Sequence, residues 1–306
     1  MFFGSFLFLL LMKEMINRSV FGIIFLLFVF VPYFTDLNYG TELFNLVLFV
    51  FSVLSTFELF KIGNNTPFKS TLLIPALLLN LALFLPMLLE TVSSLLAQPL
   101  TNITWIHAVA LHFEKGLWAF VVMSVLFFTL LIFNEKSIQW IFKYTFSLSI
   151  FYIILPLALV SYVMTGKDVE TKSLLFIVLL PIYLNDSLAY LFGKFFGKNK
   201  LIPSVSPKKT WEGFIGGTIG AAVTMIALIY FRNGGSIETY FMMATVSVLV
   251  SVLATFGDLF ESKLKRAAEV KDSGNILPGH GGILDRIDAM LFAVPVLYVF
   301  LTTIFI

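Results

Sequence analysis

The chain has 306 residues, 59% of them hydrophobic and only 12% charged, with a formal charge of +2. Soluble domains carry about 25% charged residues, so this composition, with a mean hydropathy of +0.97 and repeated apolar runs, excludes a soluble globular fold and describes a polytopic membrane protein. The absence of cysteine excludes disulfides, thiolate metal sites and a cysteine nucleophile.

Residues 1–12 (MFFGSFLFLLLM) are apolar but too short to span a bilayer. No basic residue precedes them and no small-residue cleavage site follows, so they read as an interfacial extension or as an upstream start ahead of Met12 and Met15. Nine apolar runs follow, at 19–35, 42–60, 71–89, 116–133, 144–163, 173–192, 213–231, 239–258 and 288–306. Segment 90–115, with Trp105, His107 and His112, suits a re-entrant or surface helix. The expected architecture is an all-α polytopic membrane protein of about nine transmembrane helices. It divides into N-terminal helices over 1–170 and a C-terminal part over 171–306 that holds the polar loops 193–212 and 259–287.

Loop charge predicts orientation. With the N-terminal flank and every second loop on one side, that side holds sixteen of the 20 basic residues. This places the N-terminus in the cytosol, the C-terminus outside, and the two most basic loops, 193–212 and 259–287, on the same cytosolic face.

Three polar clusters converge on that face. Asn185-Asp186-Ser187 lies inside the sixth run, where an ionised carboxylate costs about 3 kcal/mol even on the gentler scales. It reads as a metal ligand or charge relay, or as an Asp bonded to a neighbouring helix. The loop from Ser204 to Gly213 carries Lys208 and Lys209 beside Ser206 and Thr210 and leads into Gly213, Gly216, Gly217 and Gly220. That pattern suits a phosphate grip and equally a positive-inside loop on lipid headgroups, and its glycines suit helix packing as well. The third cluster runs from Gly257-Asp258 and Glu261 through Lys265-Arg266 and Lys271-Asp272 to Pro278-Gly279-His280-Gly281-Gly282 and Asp285-Arg286-Ile287-Asp288. Asp285 and Asp288 are spaced to share one helix face. Flexible backbone, cations and carboxylates in one loop suit a polyphosphate with a divalent metal.

The segment Ser262-x-Leu264-Lys265-Arg266, Lys271-Asp272-x-Gly274 and Leu277-Pro278-x-His280-Gly281-Gly282-Ile283-x-Asp285-Arg286-Ile287-Asp288 resembles the signature of the phosphatidate cytidylyltransferase (CDP-diacylglycerol synthase) family, with every fixed position filled. Asn185-Asp186-Ser187-x-Ala189-Tyr190 and Ser206-Pro207-Lys208-Lys209-Thr210-Trp211-Glu212-Gly213 resemble the same family, so the likeness covers about residues 180–306.

The resemblance implies transfer of CMP from CTP to phosphatidic acid, giving CDP-diacylglycerol and pyrophosphate. Magnesium is the implied cofactor, with a monovalent cation such as K⁺ beside it, and a homodimer is the implied assembly. On that basis Asp258 and Asp285 are the first metal candidates, with Asp288 and Asp186 as further ones. Lys265, Arg266, Lys271 and Arg286 are candidates to neutralise the triphosphate and leaving pyrophosphate, with His280 to orient a neighbour or touch phosphate. Ser206, Lys208, Lys209, Thr210, Ser262, Gly281 and Gly282 are candidates for substrate binding. CTP, phosphatidic acid and membrane lipids are the expected partners, and nucleic acid is not. A bacterial inner membrane, with the site facing the cytoplasm, is the expected location. Three rivals remain at this level. A related enzyme would use CTP on an isoprenoid or ether lipid. A transporter would use an intramembrane Asp relay, but the charges cluster on one face and only Asp186 is expected well inside a span. A lipid-binding scaffold leaves the glycine-and-carboxylate loop without a purpose.

Overall fold

The computed structural model describes residues 40–68, 72–95, 119–134, 136, 138–164, 169–232, 234–276 and 281–305. The apolar run 19–35, segments 1–12 and 96–115, and residues 277–280 with His280 lie outside the described residues.

The remaining eight apolar runs are helical. Gly40–Asn64 forms α1 and Leu73–Leu95 forms α2. Ala119–Ile132 forms α3. A continuous helical stretch, α4, opens as a 3₁₀ turn at Gln139–Tyr144, passes through a wide π turn at Ile150–Ile154 and ends as an α-helix over Leu155–Met164. Then come α5 (Val169–Phe196), α6 (Trp211–Arg232), α7 (Ile237–Ala267) and α8 (Leu284–Phe305). Four helical stretches among the described residues are long and apolar enough to cross a membrane: Leu43–Asn64, Gln139–Ser161, Trp211–Arg232 and Ile237–Ala267. The protein is thus a helical membrane protein with one small exception. Inside the loop 193–212, Lys200–Ile202 (β1) and Ser206–Thr210 (β2) pair antiparallel as a hairpin.

That hairpin is tied down at both ends. The Thr210 hydroxyl accepts the Gly213 amide at 3.1 Å and so caps α6. The Glu212 carboxylate accepts the amides of Lys198 and Asn199 and the Asn199 side chain. The glycines that follow serve packing. A Cβ on Gly216 would strike Phe192, and one on Gly217 would strike Ala189 and Asn185, so α6 lies hard against α5.

Helix α7 positions the site. Its 31 residues extend about 46 Å at 1.5 Å per residue, longer than the roughly 30 Å hydrocarbon core. Its closing turns carry Asp258, Glu261, Lys263 and Lys265. Its end is a Schellman turn: the Val270 amide bonds to Lys265 O and the Glu269 amide to Arg266 O. Glu269 takes the left-handed conformation there, with φ 58°, which costs a side-chain-bearing residue about 1 kcal/mol. The ammonium of Lys263 is buried and donates to Ile132 O and Asn134 O, closing the C-terminus of α3.

Helices α7 and α8 touch at main-chain level. A Cβ on Gly257 would run into the Asp288 carbonyl and Ala289 Cα. Below the polar ends, Phe128, Tyr152, Phe260 and Phe292 bring α3, α4, α7 and α8 together, with Phe128 stacked on Phe260 at 4.6 Å and Tyr152 edge-on to Phe260 at 5.0 Å. Each such pair adds about 1 kcal/mol beyond simple burial. This aromatic layer is a rigid floor under the carboxylates.

Candidate active site

The site is built where α7, α8 and the hairpin meet. Carboxylate oxygens of Asp258, Glu261 and Asp288 all lie within 4.8 Å of one another. Asp258 and Glu261 lie close in sequence on α7, and the Gly257 crossing brings Asp288 of α8 beside them. Glu261 is 1% exposed and Asp288 7% exposed. Water cannot dissipate that much negative charge, so cations have to balance it.

Two lysines supply part of the balance. Lys265 bridges Glu261 and Asp285, with Nζ 2.5 Å from an oxygen of each. Lys209, at the end of the hairpin, lies 2.5 Å from Asp258. Burial alone would lower the Lys209 pKa, but the Asp258 carboxylate outweighs it and holds the ammonium above its ordinary value. Lys209 therefore remains a cation at neutral pH.

Even so, the cluster keeps unused acceptors. Oε1 of Glu261 is buried without a hydrogen-bond partner among the described residues. Asp288 has no ion pair among the described residues, and its Oδ1 accepts the Ala289 amide at 2.8 Å. An orphaned carboxylate oxygen, two neighbouring carboxylates and an all-oxygen donor set fit a hard divalent cation such as Mg²⁺. Glu261, one turn after Asp258, is not among the metal candidates that the resemblance implies, and the structure adds it to the carboxylate group.

Asp285 is placed differently. Its Oδ2 accepts the Gly282 amide at 2.7 Å and the amide and hydroxyl of Ser273, both at 2.9 Å, while Oδ1 faces Lys265. Here Asp285 organises the loop; it stands outside the three-carboxylate group, as does Asp186. Gly281, with φ 85°, provides the turn that lets the Gly282 amide point at Asp285.

A cavity of about 350 Å³ opens on the hairpin side of Asp258. Asp186, Asn185, Lys208, Lys209, Lys194 and Asp258 are among its lining residues. It is lined by members of all three polar clusters read from the sequence, with Asp258 of the third shared between cavity and carboxylate group. Ser206 is half-buried in β2. The Ser262 hydroxyl donates to Asp258 Oδ1 at 3.3 Å. Thr210 is buried beneath the hairpin as the α6 cap and also borders the cavity. Arg266, within the Schellman turn, and Lys271, just after it, are exposed, and Arg286 is exposed in the first turn of α8.

One residue escaped the sequence reading altogether. Glu58 of α1 is 1% exposed, and its carboxylate accepts from Ser273, Ile283 and Leu284 of the loop. It lies inside the apolar run 42–60, so Asp186 is not alone in being an acid within a span. The signal was available: an ionisable side chain in an apolar run marks a polar partner by default.

Lysines and carboxylates thus gather beside a cavity at one end of the helical membrane bundle. The cytidylyltransferase family model matches residues 16–304, and the chain belongs to that family. Over 122 residues it is 47% identical to a phosphatidate cytidylyltransferase of Staphylococcus aureus, covering 40% of this chain and 46% of the relative. A phosphatidate cytidylyltransferase of Bacillus subtilis is 48% identical over 131 residues, covering 43% and 48%. The matched segment thus spans about half the length of these curated relatives.

Proposed function

We propose that this chain transfers CMP from CTP to phosphatidic acid at the cytosolic membrane face, releasing pyrophosphate and giving CDP-diacylglycerol. The observation that carries this reading is the group of buried Glu261 and Asp288 with half-buried Asp258, flanked by Lys209 and Lys265 and reaching a cavity through Asp258. The names of the relatives support the same substrates.

A phosphate oxygen of phosphatidate attacks the α-phosphorus of CTP in line. The bond from the α-phosphorus to its bridging oxygen breaks, and pyrophosphate leaves with that electron pair. The nucleophile is already anionic, so no strong general base is required, and the role left to His280 is to orient a neighbour or touch phosphate. The chain's task is positioning and charge neutralisation. Lys209 and Lys208 border the cavity and receive phosphate groups there. Lys265 keeps Glu261 and Asp285 in place while its positive charge faces the cluster. Arg266, Lys271 and Arg286 attract the anionic substrates from the loop surface. Asp258, Glu261 and Asp288 would hold Mg²⁺, which neutralises charge on the transferring phosphates. Asp186 and Asp285 remain further ligand candidates for Mg²⁺ or a monovalent cation such as K⁺.

The nine-span topology, cytosolic N-terminus and external C-terminus belong to this reading, supported by the loop charges. So do a homodimeric assembly, a bacterial inner membrane and the division at residue 170.

The test is pyrophosphate release by purified protein in mixed micelles containing phosphatidate, CTP and Mg²⁺. Turnover should need all three, stop with EDTA, and fall about a thousandfold in Asp258→Asn, a loss of roughly 4 kcal/mol of transition-state stabilisation. A folded protein that turns over an isoprenoid or ether lipid and not phosphatidate would move the acceptor. No turnover with any lipid would overturn the reading.

A further inference from the structure

The carboxylate of Glu58 serves backbone 225 residues further along the chain. Oε1 accepts the Ile283 amide at 3.0 Å, and Oε2 accepts the Leu284 amide at 2.9 Å and the Ser273 hydroxyl at 3.0 Å. Ile283 and Leu284 form the entry of α8, where backbone amides lack partners within the helix. A nearby Ser or Asp usually supplies that cap. Here Asp285 holds the Gly282 amide from within, and Glu58 holds the next two from another helix.

The loop is shaped around this carboxylate. A Cβ on Gly274 would strike Glu58 Oε1, and one on Gly282 would strike Glu58 Oε2 and Ser273 Oγ. Two glycines of the loop are therefore bare where Glu58 enters. Placing an ionisable group in an apolar helix costs several kcal/mol, and a local cap would satisfy the same amides without it. Asp285 and Asp288 follow within one and a half turns of the amides that Glu58 grips. Any shift of the α8 entry moves both relative to Lys265, Asp258 and Glu261.

We propose that Glu58 is a positioning residue: from α1 it clamps the entry of α8 and so sets the placement of Asp285 and Asp288 in the site. It touches the loop and acts through it. The activity part of the test rests on the transferase reading above, while the exchange part does not.

Amide hydrogen exchange is measured on the full chain in detergent without Mg²⁺. Relative to wild type, Glu58→Gln should speed exchange over 281–286 by about tenfold and leave the hairpin 200–210 unchanged. In the pyrophosphate assay the Mg²⁺ needed for half-maximal rate should rise about tenfold, while the KM for phosphatidate stays within about twofold. The control is Asn45→Ala, also in α1, which removes the buried 2.8 Å bond from Ser161. It should lower the thermal midpoint and move neither readout. The proposal is overturned if Glu58→Gln leaves exchange near wild type, or if Asn45→Ala shifts both readouts equally. Should Glu58→Gln not fold, the Gly274 pair decides. Gly274→Ala should raise loop exchange and the Mg²⁺ requirement, and adding Glu58→Asp, whose shorter side chain withdraws the carboxylate, should restore both in part. No recovery in the double variant overturns the clamp. If wild type shows no turnover, the transferase reading fails and exchange alone still judges Glu58.

Discussion

Two polar segments meet at the site and are held in different ways. The hairpin over residues 200–210 is held by its own backbone ladder, with Thr210 and Glu212 fastening the junction to α6. The loop between α7 and α8 has little such ladder; its described part is organised by carboxylates, Asp285 from its own helix and Glu58 from α1. A backbone-held segment distributes its support over many small bonds. A carboxylate-held segment concentrates it in two side chains, each buried where a lost partner leaves charge or amides stranded.

That contrast can be broken by mutation. The largest effect should come from Asp285→Ala, which releases the Gly282 amide, the amide and hydroxyl of Ser273, and one partner of Lys265. Pyrophosphate release should fall by about a thousandfold or more. An activity near wild type would mean that the loop is held by something else. Next comes Lys265→Met, which strands Glu261 and Asp285 without their shared cation and should cost about 3–5 kcal/mol in detergent-based unfolding. In the hairpin the same measurement on Thr210→Ala should cost only about 1 kcal/mol, the ordinary value of a helix cap. A hairpin loss as large as the Lys265 loss would erase the distinction.

The smallest effect concerns pH. The Lys209 pKa lies above its ordinary 10.5 because Asp258 outweighs burial, so the pair contributes fully below the unfolded value and is lost only as pH rises through the higher folded one. The activity ratio of wild type to Lys209→Met should therefore stay flat from about pH 7 to about pH 9. A ratio that falls in that window would show that Lys209 deprotonates early.

The helices among the described residues are legible in sequence because apolar runs act locally. Asp258 and Asp288 could be picked out as carboxylates at a membrane boundary, but that they are neighbours depends on Gly257 letting two backbones touch, which is a tertiary fact. Glu261 belongs to the same polar cluster in sequence, but only burial shows that one of its oxygens has no partner among the described residues. The hairpin was hidden by composition, since Lys200–Ile202 and Ser206–Thr210 are short and mostly polar. Lys263 sat among the loop cations in sequence but is consumed by the carbonyls that end α3. Glu58 was lost in a hydrophobic average, and its partners lie too far along the chain for any local pattern to reveal.

The wide turn at Ile150–Ile154 means that α4 carries one residue more than an unbroken α-helix of the same rise would need. Each residue turns a helix by about 100°, so the surplus lets the two halves of α4 present unrelated faces. Tyr152 sits in that turn, locked among Phe128, Phe260 and Phe292. The position should therefore be sensitive to length more than to identity. Conservative swaps such as Ile150→Leu would be absorbed, whereas removing a single codon here would regularise the helix and rotate one half of its contacts away from the partners they now meet.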